Sequence, residues 1–138
     1  VRLINMGVEP YLITSSVVGV LAQRLVRRLC RECKAPMAPD AARLAAASLG
    51  ETLGQGITLY KPVGCAHCRN TGYQGRVAIH ELLRLTDEVK KAVLETGTAV
   101  AAANDAYVGG NLLHDGATKV FQGLTTAEEI LRVARQND

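Results

Sequence analysis

Four cysteines fall in two identical pairs, Cys30-Arg31-Glu32-Cys33 and Cys65-Ala66-His67-Cys68, and the chain has no others. A Cys-x-x-Cys turn sets two sulfurs on one side of a tight loop. Two such loops facing each other supply four thiolates to one tetrahedral ion. Zn2+ suits that donor set, having no geometric preference from d-electrons and an affinity for sulfur. The 31 residues between the pairs exceed those of a minimal zinc ribbon. Loop-closure cost grows only slowly with length, so the insert does not disfavour the site. Disulfides are one alternative, but they need an oxidising compartment and nothing here marks secretion of this chain. A redox pair is another, and it leaves the second motif unused. Cys30, Cys33, Cys65 and Cys68 are therefore read as the ligands of one structural Zn2+. Four sulfurs close the shell and leave no position for water or substrate.

Such a centre carries a net charge of about −2. Arg31, Lys34, His67 and Arg69 lie in or beside the two motifs, where cations lower the cost of that charge. His67 is read as a solvated residue of the second knuckle and not as a fifth ligand.

The elements that position these groups follow from spacing. Val1, Leu3, Ile4 and Met6 read as the end of a helix closed by Gly7, so the chain is expected to be a fragment lacking an upstream part. Pro10 makes Val8–Pro10 a connector. Thr14, Ser15 and Ser16 offer N-caps for a helix running into Cys30. Val18, Leu21, Leu25 and Leu29 mark its buried face, and Arg24, Arg27, Arg28 and Arg31 its other side. Those arginines read either as a solvated face or as a partner contact.

Pro39-Asp40 opens an Ala-rich helix that Gly50 ends, and Ile57 to Tyr60 reads as a short strand. Asn70 to Arg76 is a turn with two glycines, and Arg76 to Leu85 alternates as a strand, so the second cysteine pair hangs on a β-ribbon. Helices are expected from Asp87 to Gly97, over Val100, Ala103 and Tyr107, and over Leu113, Ala117, Val120 and Phe121. A last helix opens with the capping box Thr126-Ala127-Glu128-Glu129.

Composition bounds the rest. The 138 residues fit one compact domain with an appended metal module. Trp is absent and Phe121 stands alone, so the core must be aliphatic, which favours helix packing. The net charge of +3 is too mild to demand a nucleic-acid partner. No apolar run reaches the length of a membrane span, no signal peptide is present, and reduced cysteines point to the cytoplasm. No Gly-x-x-x-x-Gly-Lys-Ser/Thr, Gly-x-Gly-x-x-Gly, His-Glu-x-x-His or Gly-x-Ser-x-Gly motif occurs. His80 and His114 have no companion cluster in sequence, so no catalytic residue and no cofactor-binding residue is assigned.

Several stretches in order carry a family resemblance. They are Met6-Gly7-Val8-Glu9-Pro10, Ser15-Ser16, Leu21-Ala22-Gln23-Arg24-Leu25-Val26-Arg27 and Gly64-Cys65-Ala66-His67-Cys68. Thr71-Gly72-Tyr73-Gln74-Gly75-Arg76, Glu81-Leu82-Leu83, Asp115-Gly116, Lys119-Val120, Gly123 and Thr125-Thr126-Ala127-Glu128-Glu129-Ile130 follow. Nearly the whole chain resembles the C-terminal part of the type II secretion ATPases, general secretion pathway protein E. Type IV pilus assembly ATPases are close relatives of these. Ala35 to Lys61 is the variable part.

The resemblance implies an α/β, mostly helical fold: the C-terminal part of a P-loop, RecA-like, additional-strand ATPase domain. Its tetracysteine zinc module would sit on a helix end and a β-ribbon. It implies residues 1–29 as a piece of the ATPase core, 30–76 as the zinc-binding module and 77–138 as a strand plus helical subdomain. It further implies a hexameric ATPase using ATP and Mg2+, with nucleotide-binding motifs upstream of Val1, so that this fragment is inactive alone. Partners would be inner-membrane secretion platform proteins, at the cytoplasmic face of the bacterial inner membrane, with peripheral membrane association through them. Val18-Gly19-Val20 and Leu82-Leu83 lean to secretion over pilus assembly. A rival of another class is a zinc-ribbon nucleic-acid-binding module, which would need aromatic platforms beyond Tyr60 and Tyr73. The zinc is expected to crosslink only its own module and to couple weakly to the C-terminal helices.

Overall fold

A computed structural model of the chain describes residues 2–99 and 103–134. In chain order the elements are α1 (Arg2–Asn5), α2 (Pro10–Ser16), β1 (Gly19–Leu29), β2 (Ala35–Pro36), α3 (Pro39–Ser48), β3 (Tyr60–Lys61) and β4 (Tyr73–Arg84). Then come α4 (Asp87–Thr96), a 3-10 turn (Asn104–Ala106), α5 (Leu112–Phe121) and α6 (Ala127–Ala134). The strands form two two-stranded sheets, β1 with β4 and β2 with β3. Among the described residues, no helix is long and apolar enough to cross a membrane.

The segment expected to be the strongest helix is a strand. Gly19–Leu29 pairs with β4, and exposure alternates from Ala22 to Arg27, with Ala22, Arg24 and Val26 on the more buried side. Valines at 17, 18, 20 and 26 stiffen the chain toward an extended backbone. The hydroxyls expected as N-caps lie instead at the end of α2. Thr14 Oγ1 donates to the Tyr11 carbonyl and Ser15 Oγ to that of Leu12, bonding back along a helix that stops there. Pro10 opens α2 at a position that needs no N–H, where a connector was expected.

Other local signals hold. α1 closes at Gly7, whose φ is 97°. α3 starts at Pro39-Asp40. Thr86 caps α4, its Oγ1 accepting from Val89 N, and Gly97 ends that helix in the left-handed region. Of the helix expected over Val100, Ala103 and Tyr107, the described part is the 3-10 turn Asn104–Ala106, and Val100 lies outside the described residues.

The chain divides into two compact units that are interleaved in sequence. One comprises Val1–Ala22 and Glu81–Asn111, the other Gln23–His80 and Leu112–Asp138. In the first, Leu85, Val89, Val93 and Ala106 form a small core, with Ile4, Ile13, Val17, Leu83 and Ala99 against it. In the second, Val26, Ala42, Leu49, Leu59 and Ile79 meet Leu112, Ala117, Val120, Ile130 and Val133 in one aliphatic core. The cysteine motifs belong to this second unit, together with α5 and α6.

A candidate tetrathiolate metal centre

The first motif sits on the end of a strand, not of a helix. β1 ends at Leu29, and Cys30–Cys33 turns the chain so that Lys34 N donates to the Cys30 carbonyl at 3.1 Å. The insert then leaves and returns through β2 and β3, which are antiparallel with Ala35 opposite Lys61 and Pro36 opposite Tyr60. The first and last residues of the variable insert are thus clamped together, so its length does not separate the motifs. The second motif closes with Asn70 N donating to the Cys65 carbonyl at 2.8 Å, and Arg69 and Asn70 both adopt positive φ. Gly72 follows at φ 82°, where an added Cβ would collide with Pro62. Its carbonyl accepts from Cys30 N at 3.0 Å and so ties one motif to the other.

The four sulfurs come together. Every ligand atom of the set lies within 4.8 Å of the others. Three sulfur–sulfur distances, Cys30–Cys65, Cys33–Cys68 and Cys65–Cys68, are 3.8 Å. An ion with metal–sulfur bonds of about 2.3 Å requires tetrahedral edges of about 3.8 Å. A disulfide requires sulfurs about 2.05 Å apart, and none of the four cysteines is so bonded. Cys30 and Cys68 are buried, and Cys33 and Cys65 are half-buried.

Backbone N–H groups point at the sulfurs. Gly64 N donates to Cys33 Sγ at 3.3 Å, and Cys68 Sγ accepts from Cys65 N at 3.3 Å and from Gly72 N at 3.2 Å. Such donors favour the thiolate, which is the metal-binding form. Burial pushes the Cys68 thiol up, but the N–H groups of Cys65 and Gly72 and the neighbouring thiols bring it down to about 6. For Cys33 the Gly64 N–H works downward, but burial and the three other thiols outweigh it and push the group up to about 11. The two thiols are thus pushed in opposite directions, and a divalent cation would compensate the charge of the thiolates. His67 is exposed and is not among the clustered ligand atoms.

The centre is fastened to α5 and α6 of the same unit. Lys34 Nζ donates to the Gly123 carbonyl at 2.9 Å while lying 4.4 Å from the centre of the Tyr60 ring. Leu29 N donates to the Leu124 carbonyl at 2.8 Å, Thr125 Oγ1 to the Arg27 carbonyl at 2.8 Å, and Tyr73 shares a 3.0 Å hydrogen bond with Thr126. The free edge of β1 is therefore covered by the α5–α6 connector. These bonds join the metal module to the C-terminal helices, between which weak coupling was expected.

A family description, type II/IV secretion system protein, matches residues 1–132. The chain belongs to that family. It is 46% identical over 132 residues to the type IV pilus assembly ATPase PilB of Thermus thermophilus, covering 94% of this chain and 15% of the relative. It is 44% identical to the type II secretion system protein E of Pectobacterium carotovorum, covering 98% of this chain and 26% of the relative. The type II secretion system ATPase E of Vibrio cholerae is 39% identical, over 99% of this chain and 27% of the relative. The chain thus spans between about a seventh and a quarter of the length of these relatives.

Two residues of this secretion-family chain carry more than their sequence context indicates. Arg27, one of the arginines read as a solvated face or a partner contact, sits 4.2 Å over the Tyr73 ring and pairs with Glu129. Glu129, read as the closing residue of a capping box, is 1% exposed and does not reach back to the cap. Its N–H donates to Thr126 Oγ1, completing half of the box, while its carboxylate accepts from Arg27 and Arg132. The signal that could have exposed it is an acidic residue on the apolar face of α6, one position before the fully buried Ile130.

Proposed function

We propose that this chain is the C-terminal zinc-binding region of a hexameric ATPase that powers pseudopilus assembly and protein export by type II secretion. The family match over residues 1–132, on a chain whose four cysteine sulfurs lie within 4.8 Å of one another, carries this reading. Cys30, Cys33, Cys65 and Cys68 hold one Zn2+, which staples residues 30–76 and supplies no catalysis. Residues 1–29 and 77–138 complete the ATPase domain around it. ATP and Mg2+ act in the whole protein through motifs outside this sequence, and the chain alone hydrolyses no ATP. The whole protein works at the cytoplasmic face of the inner membrane against platform proteins there, and it binds no nucleic acid. Pilus assembly is the second reading, favoured by the 46% identity to a pilus assembly ATPase.

The test is a metal count with an activity assay. Freshly purified reduced chain should contain one zinc per molecule and release no phosphate from ATP. The whole protein with Cys65→Ser should fail to restore export in a secretion-deficient strain. Chain without zinc, or sustained ATP hydrolysis that scales with chain concentration, contradicts the reading. Restored piliation with unrestored export would select the second reading.

A further inference from the structure

Arg27 is committed to Glu129, but the neighbouring arginines are not. Arg28 at the end of β1, Arg31 in the first motif and Arg76 in β4 line one cleft of about 380 Å³, with Glu32, His67 and Gln74. None of these three guanidinium groups makes a hydrogen bond or ion pair with a described residue, and Arg28 is half-buried. Arg31 and Arg76 are exposed, so their donor forks are open to a ligand from solvent. Glu32 is the one carboxylate in the lining, so the lining itself carries an excess of about two positive charges, with Arg31 shared with the neighbouring charge of a zinc-loaded centre. The lining contains none of the four cysteines, so the thiolates do not themselves fill the cleft.

We infer that this cleft is a phosphate-binding site. A phosphate group presents up to two negative charges and several acceptor oxygens, matching both the excess charge and the planar donor forks of arginine. A single carboxylate would leave the cleft positive. The volume lies in the range of small-ligand pockets and exceeds one bare phosphate, so the group is carried on a larger molecule. Free phosphorylated solutes and lipid headgroups share this chemistry. The inference does not depend on the secretion reading, but its test rests on the zinc reading, because it uses the zinc-loaded chain.

The test uses the zinc-loaded chain, with inorganic pyrophosphate titrated by calorimetry in low salt. Co-sedimentation is measured in parallel with vesicles of phosphatidylcholine, with and without phosphatidylglycerol. Pyrophosphate should bind one per chain, and Arg28→Ala with Arg76→Ala should weaken it by about tenfold or more. Glu32→Gln, which removes the opposing charge, should tighten it by about threefold. Binding to phosphatidylglycerol vesicles alone, with the same two variant effects, identifies a lipid headgroup as the source. The inference is overturned if neither probe binds, or if the double variant binds as well as the parent. It is also overturned if the double variant loses its zinc, since the arginines then serve only as counter-charges to the thiolates.

Discussion

The Glu129 carboxylate accepts from both ends of Arg27: the backbone N–H reaches Oε1 at 2.9 Å and the guanidinium reaches Oε2 at 2.9 Å. One side chain of α6 thereby fixes the main chain of β1 and the rotamer of a residue three positions before the first motif. Arg132 closes the other side, at 2.9 Å to Oε1 and 3.3 Å to Oε2. Glu129 is buried while both arginines are about half exposed, so the carboxylate is desolvated and the cations keep part of their hydration.

Replacing Glu129 with Ala leaves the Arg27 N–H without its acceptor and removes the anchor of two cations. The variant should be destabilised by about 2–4 kcal/mol in urea denaturation. Arg27→Glu should destabilise comparably, by setting two carboxylates together. Arg28→Glu should be nearly neutral, because Arg28 pairs with no described residue. Equal effects at 27 and 28 would contradict the pairing.

The same carboxylate makes stability depend on pH. Burial raises its pKa, but the hydrogen bonds from Arg27 and Arg132 outweigh burial and bring it from 4.5 down to about 2. A group depressed on folding stabilises the folded state when ionised in both states, which here means above the unfolded value of 4.5. That contribution falls away as pH drops toward 2. The stability gap between parent and Glu129→Gln should be constant near neutral pH and shrink progressively from about pH 5 downward. Thiolate protonation would release any bound metal from both proteins alike, so the gap and not either curve is the readout. A gap that widens on acidification would refute the assignment.

Metal removal should reach beyond the motifs. Lys34, Leu29 and Tyr73 hold Gly123, Leu124 and Thr126, and α5 and α6 share one core with Ile79 and Leu59. Chelation, or Cys65→Ser, should therefore raise hydrogen exchange across residues 122–130 as well as across 30–76. Protection lost only within 30–76 would restore the picture of an independent module.

What the sequence makes legible here is local. Cys-x-x-Cys spacing, the Gly7 and Gly97 helix stops and the Thr86 cap each act within a few residues, and the structure contains each of them. β1 was illegible because Val18, Leu21, Leu25 and Leu29 satisfy a helical period, while its partner strand starts more than 40 residues after it ends. The exposed faces of Val18, Leu21 and Leu25 show that these residues do not form one buried stripe. The Glu129 clasp was hidden for a related reason. A capping box explains a Glu at that position completely, and only the approach of β1 redirects its carboxylate.

The close contact of α5 with α6 rests on one glycine. Gly116 is buried in α5, and a Cβ built there would lie 2.5 Å from Ile130 Cγ2 and 3.0 Å from Cδ1. Its backbone is helical, so alanine is favoured there by propensity by about 1 kcal/mol. Overpacking opposes this with about 1–3 kcal/mol, and the contact is too short for small adjustments to relieve. Gly116→Ala should therefore destabilise the chain by about 1–2 kcal/mol despite the better helix former. Pairing it with Ile130→Ala separates clash from propensity. Ile130→Ala alone opens a cavity costing about 2–5 kcal/mol, and the double variant should be more stable than the sum of the two losses, because the added methyl occupies space the isoleucine vacates. Strict additivity in a urea denaturation cycle would show that the two helices do not meet at this pair.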